Sequence, residues 1–526
     1  MTQPHVFVAM ADILNLRCDA WLLPTDSKVT IEQHWLKAHP NLRTMAAASV
    51  STGFRDGSAL AEPVRPWDPV LPFPIMTAVP DDGGWSPAVV AERLESFVRS
   101  ALSAIPAPLD HRPYRLLALP FFGTAGGGAG NHLGAALRAI LGASADLAAR
   151  YDVDIVLVLR DKAAFSLAQK LRREAASGFS WPSLGDHLRE KARCLGQIAQ
   201  AGHLVPFLGA GVSVSAGAPS WSQLLDTLSA GIDLKEAQAG AFQGLNLLDQ
   251  AGVLEQLYAD QNGSRAAFGK AVAKAVDLPR YGLAPALLAT VPSTGAITLN
   301  YDRLFESACR DAQRPRTVMP ENIPAVGTDW LLKLHGSVSQ PDSIVLTRDD
   351  YLGYNSNRDA LSALVKAHLL THHLLFVGFG LADDHFHEIV HDVRRALPND
   401  ASMDHQMGTV LSLFDEPLQT LVWTGKLEIH SMSSAPVPDA DPADVRIALA
   451  TAGRELEIFL DMMAAYATDN HSYLLAPAYN QGLADDELDL RRQLLALAGL
   501  ERSAGTAEVW GVLDKALREL GLKDLS

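Results

Sequence analysis

Cysteine is scarce in this chain, with three in 526 residues, at Cys18, Cys194 and Cys309. They are odd in number, far apart and outside any Cys-x-x-Cys pattern, which argues against a disulfide framework and against a zinc ribbon. Basic charge is also in deficit. Lys and Arg total 44 against 60 Asp and Glu, a net charge of −16, and no long Lys/Arg run offsets it. No nucleic-acid or membrane-surface partner is therefore expected, because clustered cations supply most non-specific affinity for phosphate. No uncharged apolar run reaches membrane-spanning length, and the N-terminus lacks the basic, apolar and small-residue succession of a secretory leader, so a cytoplasmic protein is expected. What is present is an ordinary globular composition, 48% hydrophobic and 20% charged. The chain is too long for one core, and two or three domains are expected.

The most informative stretch is Leu204-Val205-Pro206-Phe207-Leu208-Gly209-Ala210-Gly211-Val212-Ser213. A short apolar run of buried-strand type ends in a Gly-Ala-Gly turn, where small residues let backbone N–H groups approach a pyrophosphate. The third glycine of GxGxxG is missing, so this is not the usual dinucleotide fingerprint, and a plain strand-to-helix turn is the alternative. Three later strand-like segments add chemistry at their ends: Asn300 and Asp302 after Ala296–Leu299, His335 and Gly336 after Leu331–Leu334, and Gly378 and Gly380 after His373–Val377. Open α/β sheets place ligand chemistry at the ends of strands.

In this order the four segments resemble the sirtuin family over about Leu204 to Leu460, and more closely its bacterial NAD-consuming branch of the antiphage-defence (Thoeris-like) type. The resemblance implies a Rossmann-like doubly wound parallel sheet with a helical insertion, and NAD as substrate. It carries Asn300 over as the catalytic Asn of a Thr-x-Asn-x-Asp motif. Its amide can hold a water without titrating. His335 is the candidate proton acceptor, because imidazole titrates near neutrality. Asp302 either contacts the nicotinamide amide, positions Asn300 or forms a structural Asx turn. Gly209, Ala210, Gly211 and Ser213 are expected at the phosphates, and Gly378 and Gly380 at the second nucleotide half. Asp383, Asp384 and His385 read as a helix cap and first turn, with ligand contact as the alternative. Deacylase sirtuins carry a four-cysteine zinc module; with no such cysteines here, neither zinc nor any other metal is expected.

Upstream, strand-like and helical segments alternate, which predicts an α/β domain. Its Ala11–Ala20 stretch and the loop Phe122-Gly123-Thr124-Ala125-Gly126-Gly127-Gly128-Ala129-Gly130 resemble, more weakly, the opening and second phosphate loop of a macro domain. That resemblance implies an ADP-ribose-like ligand at Asp12, Gly126, Gly127 and Gly128, with a merely flexible glycine loop as the alternative. The Pro-, Gly- and Asp-rich stretch from Pro63 to Pro87 is expected to be a long surface loop.

The expected division is thus a macro-like α/β domain over 1–177, a sirtuin-like domain over 184–465 and a C-terminal helical extension over 466–526. That extension packs on its own domain or makes an oligomer contact. The expected function is NAD+ hydrolysis at the nicotinamide–ribose bond, regulated by a nucleotide, in antiphage defence. Partners would be small-molecule nucleotides, and a homo-oligomer or a defence-system protein. The alternatives are an NAD- or ADP-ribose-binding module and a deacylase with a reader domain.

Overall fold

A computed structural model describes residues 3–523 apart from 69, 80–83, 110–111, 124–128, 131, 175–180, 233–235, 263, 382, 398–406, 437–440 and 501–506. Gly126, Gly127 and Gly128 therefore lie outside the described residues. The chain is mixed α/β with two largely parallel sheets, and it forms two compact units. One comprises Met1–Arg189 together with Asp461–Ser526, and the other Glu190–Leu460.

The first unit is built on β1 (Val6–Met10), β2 (Ala20–Thr25), β3 (Ala61–Pro63), β4 (Phe73–Ala78), β5 (Leu116–Pro120) and β6 (Asp154–Leu159), in the order β1-β6-β5-β2-β4-β3. All pairs are parallel except β3 with β4. The uninterrupted apolar reading of β1, β5 and β6 follows from burial on both faces, where no polar alternation is needed. Helices Pro87–Ala104 and Leu133–Tyr151 supply Leu94, Phe97, Leu137 and Ile140 to the core. The first of them starts where Ser86 Oγ accepts a hydrogen bond from Val89 N at 3.2 Å with Pro87 as its first residue, a favourable entry for a chain that must begin a helix.

Two expectations change here. The Pro63–Pro87 stretch is not all loop, because it contains β4, whose Ile75, Met76 and Thr77 are buried beside β2. Pro74 within the strand and the turn-forming residues around it hid a six-residue strand. The C-terminal residues are not a separate extension. Tyr473, Tyr479, Ala498 and Leu517 join the same core as Leu137 and Leu167. Gly134 and Gly482 meet backbone to backbone, and a Cβ on Gly134 would lie 2.5 Å from Gly482 N.

A buried charge network fastens the two stretches of this unit. Asp461 accepts hydrogen bonds from Arg172 Nη1 at 2.9 Å and Arg172 Nη2, from Trp181 Nε1 at 2.7 Å and from Val8 N at 3.2 Å. His5 Nε2 lies 2.9 Å from Asp461 Oδ2, the oxygen that Trp181 also reaches. Burial alone would raise the Asp461 carboxyl, but the Arg172 charge and these hydrogen bonds outweigh it and hold the group well below the ordinary carboxylate range.

The second unit is built on β7 (Leu204–Leu208), β8 (Gly295–Thr298), β9 (Thr317–Met319), β10 (Trp330–Lys333), β11 (His373–Val377), β12 (Gly408–Phe414) and β13 (Glu428–Ser433). The order is β13-β12-β11-β7-β8-β10-β9, with every pair parallel. The first strand, β7, is central, and the chain winds away from it on one side before returning to β11 on the other. That reversal opens a crevice at the carboxyl ends of β7, β8 and β11. Between β7 and β8 lie helices whose Leu224, Leu225, Leu254, Phe268 and Val272 form a core of their own.

Candidate active site

The reversal point of the second sheet holds a cavity of about 670 Å³, within the usual range for ligand sites. Its floor comes from residues that directly follow three strands: Gly209 and Ala210 after β7, Asn300 and Asp302 after β8, and Gly378 and Gly380 after β11. His335 enters from β10, while Trp221, Leu224 and Leu247 close the apolar side from the inserted helices.

The turn after β7 is set by close backbone approach. Gly209 N and Gly211 N donate to Val377 O and Gly378 O, each at 2.9 Å. A Cβ on Gly209 would fall 2.3 Å from Gly378 O, and one on Gly211 2.6 Å from Gly378 Cα. Gly378 itself has φ +63, a conformation that costs other L-residues energy. Beyond the turn, Ser220 and Gln223 form a reciprocal capping box that starts helix Trp221–Ser229.

Asn300 is held by its surroundings. Its Nδ2 donates to Gly209 O at 3.0 Å and to Ser213 Oγ at 3.2 Å, and its backbone N donates to Thr298 Oγ1 at 3.0 Å. A carbonyl at that distance requires the NH₂ side of the amide, so Oδ1 is presented as an acceptor. Ser213 Oγ in turn donates to Asp302 Oδ2 at 2.8 Å, while Asp302 Oδ1 accepts from Leu304 N at 2.9 Å. Both carboxylate oxygens of Asp302 thus serve the loop.

The strand carrying His335 is tied to the Asn300 loop by the buried Lys333, whose Nζ donates to the carbonyls of Tyr301, at 3.1 Å, and Asp302 and pairs with Glu306 at 2.6 Å. Burial raises the Glu306 carboxyl, opposed by the Lys333 charge. His335 is buried, with Nε2 3.7 Å from Asp383 Oδ2. Asp383 caps helix Asp384–Ala396, its Oδ1 accepting from Phe386 N at 3.0 Å, and its Oδ2 accepts from Tyr351 Oη at 3.0 Å. Burial, reinforced by the Asp383 charge, pushes the Tyr351 phenol far above its ordinary value, so it remains a donor. Elsewhere in this unit burial pushes the Cys309 thiol up to about 11, which keeps it protonated and poorly nucleophilic.

Residues 294–423 match the SIR2-like domain family. This segment is a SIR2-like domain. Defense-associated sirtuin 2 of Bacillus subtilis is 30% identical over 214 residues, covering 38% of this chain and 20% of its own length. The NAD(+) hydrolase ThsA of Enterococcus faecium is 29% identical over 213 residues, 38% of this chain and 41% of its own. The ThsA of Bacillus cereus (strain MSX-D12) is 30% identical over 204 residues, 37% and 40% respectively. The chain therefore matches between a fifth and about two fifths of the length of these relatives. Among solved structures, one described as "Structural Basis for the Mechanism and Regulation of Sir2 Enzymes" aligns with 52% of this chain and 99% of that chain at 15% identity. Its TM-score of 0.26 is too low to bear on the fold.

Within the second unit, Asn300, Asp302, His335, Gly209, Ala210, Ser213, Gly378 and Gly380 all line one cavity. Gly211 does not line it; its N–H is committed to the turn. Asp383 and Asp384 also line the cavity, and Asp383 is the cap of the helix that follows it. Tyr351 escaped notice because it comes from the start of helix Arg348–Thr371 and reaches the site only through the fold. In the first unit, Asp12 lines a separate cavity of about 250 Å³ with His34, Trp35, Phe121 and Arg160, at the carboxyl ends of β1, β5 and β6. Arg160 Nη1 stands 3.6 Å from Asp12 Oδ2.

Proposed function

We propose that this chain is an NAD+ hydrolase acting in antiphage defence, and that Asn300 and His335 carry the reaction. The observation that carries this reading is the oriented Asn300 amide sharing one cavity with a buried His335 at the sheet's reversal point. The relatives named NAD(+) hydrolase and defense-associated sirtuin support it. The bond from C1′ of the ribose to nicotinamide breaks with its electron pair leaving on the nicotinamide nitrogen. Water held by Asn300 Oδ1 adds its oxygen to C1′ and gives its proton to His335, so that nicotinamide and ADP-ribose result. Asp302 acts through Ser213 to fix Asn300, and backbone around Gly209, Ala210 and Gly380 receives the phosphates.

The architecture on this reading is Rossmann-like and doubly wound, with the helices between β7 and β8 as the lid side of the cleft. The first unit is read as macro-like, with an ADP-ribose-type signal or product bound at Asp12, and its ligand would bias the catalytic unit only through differential affinity. Incubation with NAD and identification of products tests the activity. Asn300→Ala and His335→Ala should each lower turnover by about 10² or more. Equal NAD loss in parent and variants would exclude these roles. Calorimetry with ADP-ribose on the full-length Asn300→Ala protein, with and without Asp12→Ala, tests the second site. Equal heats in the two would remove Asp12 from it.

A further inference from the structure

Three potential metal ligands converge beside the catalytic cleft. His335, Asp383 and His385 each offer one ligand atom, and these atoms all lie within 4.8 Å of one another, the one such group of three found among the described residues. We propose that this cluster binds a divalent transition ion of the zinc class, and that the bound ion switches the site off. The activity part of the proposal rests on the reading of His335 as proton acceptor; the binding part does not.

Two imidazoles and a carboxylate form an N₂O donor set, which suits zinc and its neighbours far better than calcium or magnesium, whose ligands are oxygens. Bonds of about 2.0–2.1 Å in a tetrahedron place ligand atoms roughly 3.3–3.5 Å apart. His335 Nε2 and Asp383 Oδ2 are already 3.7 Å apart. The widest pair, at no more than 4.8 Å, needs to close by at most about 1.5 Å, within reach of side-chain rotation.

The surroundings supply the outer contacts that such a site needs. His385 Nε2 stands 3.0 Å from Tyr351 O. As a donor to that carbonyl it leaves the lone pair on Nδ1, the buried nitrogen. Tyr351 Oη donates to Asp383 Oδ2, and its ring stacks on His385 with centroids 4.6 Å apart and planes 7° from parallel. One tyrosine therefore braces two of the three ligands. Asp383 Oδ1 is occupied as the helix cap, which turns Oδ2 toward His335. His335 and Asp383 both line the cavity, so a fourth coordination position would face it and take water. Metal bonded to His335 Nε2 uses the lone pair that would otherwise accept the proton, and hydrolysis stops.

The test is titration of the metal-stripped full-length protein with Zn²⁺ against a chromogenic chelator, in parallel with NAD turnover at each zinc level. The parent should bind one ion at least tenfold more tightly than His385→Gln or Asp383→Asn, and should bind Mg²⁺ no better than those variants do. Metal-free His385→Gln should keep the parent's turnover within about twofold and lose zinc inhibition. His372→Gln removes one of two neighbouring surface imidazoles, His368 and His372, whose centroids are 5.0 Å apart. It should leave the tight site intact. Equal zinc affinity in the parent and His385→Gln, or loss of the tight site in His372→Gln alone, would overturn the proposal. Because affinity is read without turnover, a protein that binds zinc here yet leaves NAD intact even when metal-free would count against the hydrolase reading and not against the metal site.

Discussion

Ser213 connects Asn300 to the carboxylate proposed to position it, accepting from Asn300 and donating to Asp302. Its replacement by Ala leaves a buried carboxylate oxygen without its donor, a loss of about 1–3 kcal/mol. If that loss falls on Asn300 placement, kcat drops about tenfold with KM for NAD little changed, as steady-state kinetics will show. A phosphate-binding Ser213 would instead raise KM. At this scale much of the site was legible in the sequence, because Asn300 and His335 directly follow apolar strands and strand ends are where such sheets put polar groups. Tyr351 was not legible. Its hydroxyl matters only through Asp383, and nothing in a local pattern says that the start of a later helix will face that cap.

The two glycine turns after β7 and β11 work as one element, since each backbone occupies the space a side chain on the other would need. Gly378→Ala meets both a positive φ and a Cβ 2.4 Å from Val212 N, whereas a Cβ on Gly380 meets nothing within 4 Å. Gly378→Ala should therefore lower the thermal midpoint by several degrees, on the order of 1–3 kcal/mol. Gly380→Ala should unfold with the parent, and differential scanning fluorimetry separates the two. The sequence revealed that glycines were needed here but not why. A phosphate and a neighbouring backbone both demand small residues, and only the fold shows that Gly211 answers to the second. The same ambiguity hid β4, where Pro74 reads as a loop former although the strand around it is buried.

At the scale of the molecule, the first unit depends on residues at both ends of the chain, and Asp461 is where they meet. Its depressed pKa means that the stability it contributes is present above the unfolded carboxylate value, near 3.9, and disappears as pH falls through the lower folded value. Burial lowers the His5 pKa too, with the Asp461 hydrogen bond opposing it, so the unfolded chain takes up a proton near pH 6.5 that the folded unit resists. Stability should thus begin to fall below about pH 6.5 and fall again below about pH 4. Asp461→Asn should cost about 3–5 kcal/mol at pH 7 and flatten the lower step, as urea unfolding across pH will show. The sequence could not announce this arrangement, because an Asp within a long amphipathic helix looks like any other until its partners are known. The discontinuity also sets an order in time. On a ribosome adding about 5–20 residues per second, the second unit is complete while the first still waits several seconds for Asp461 and the residues beyond it. Each newly made copy therefore passes through a brief interval in which its second unit is finished and its first is not.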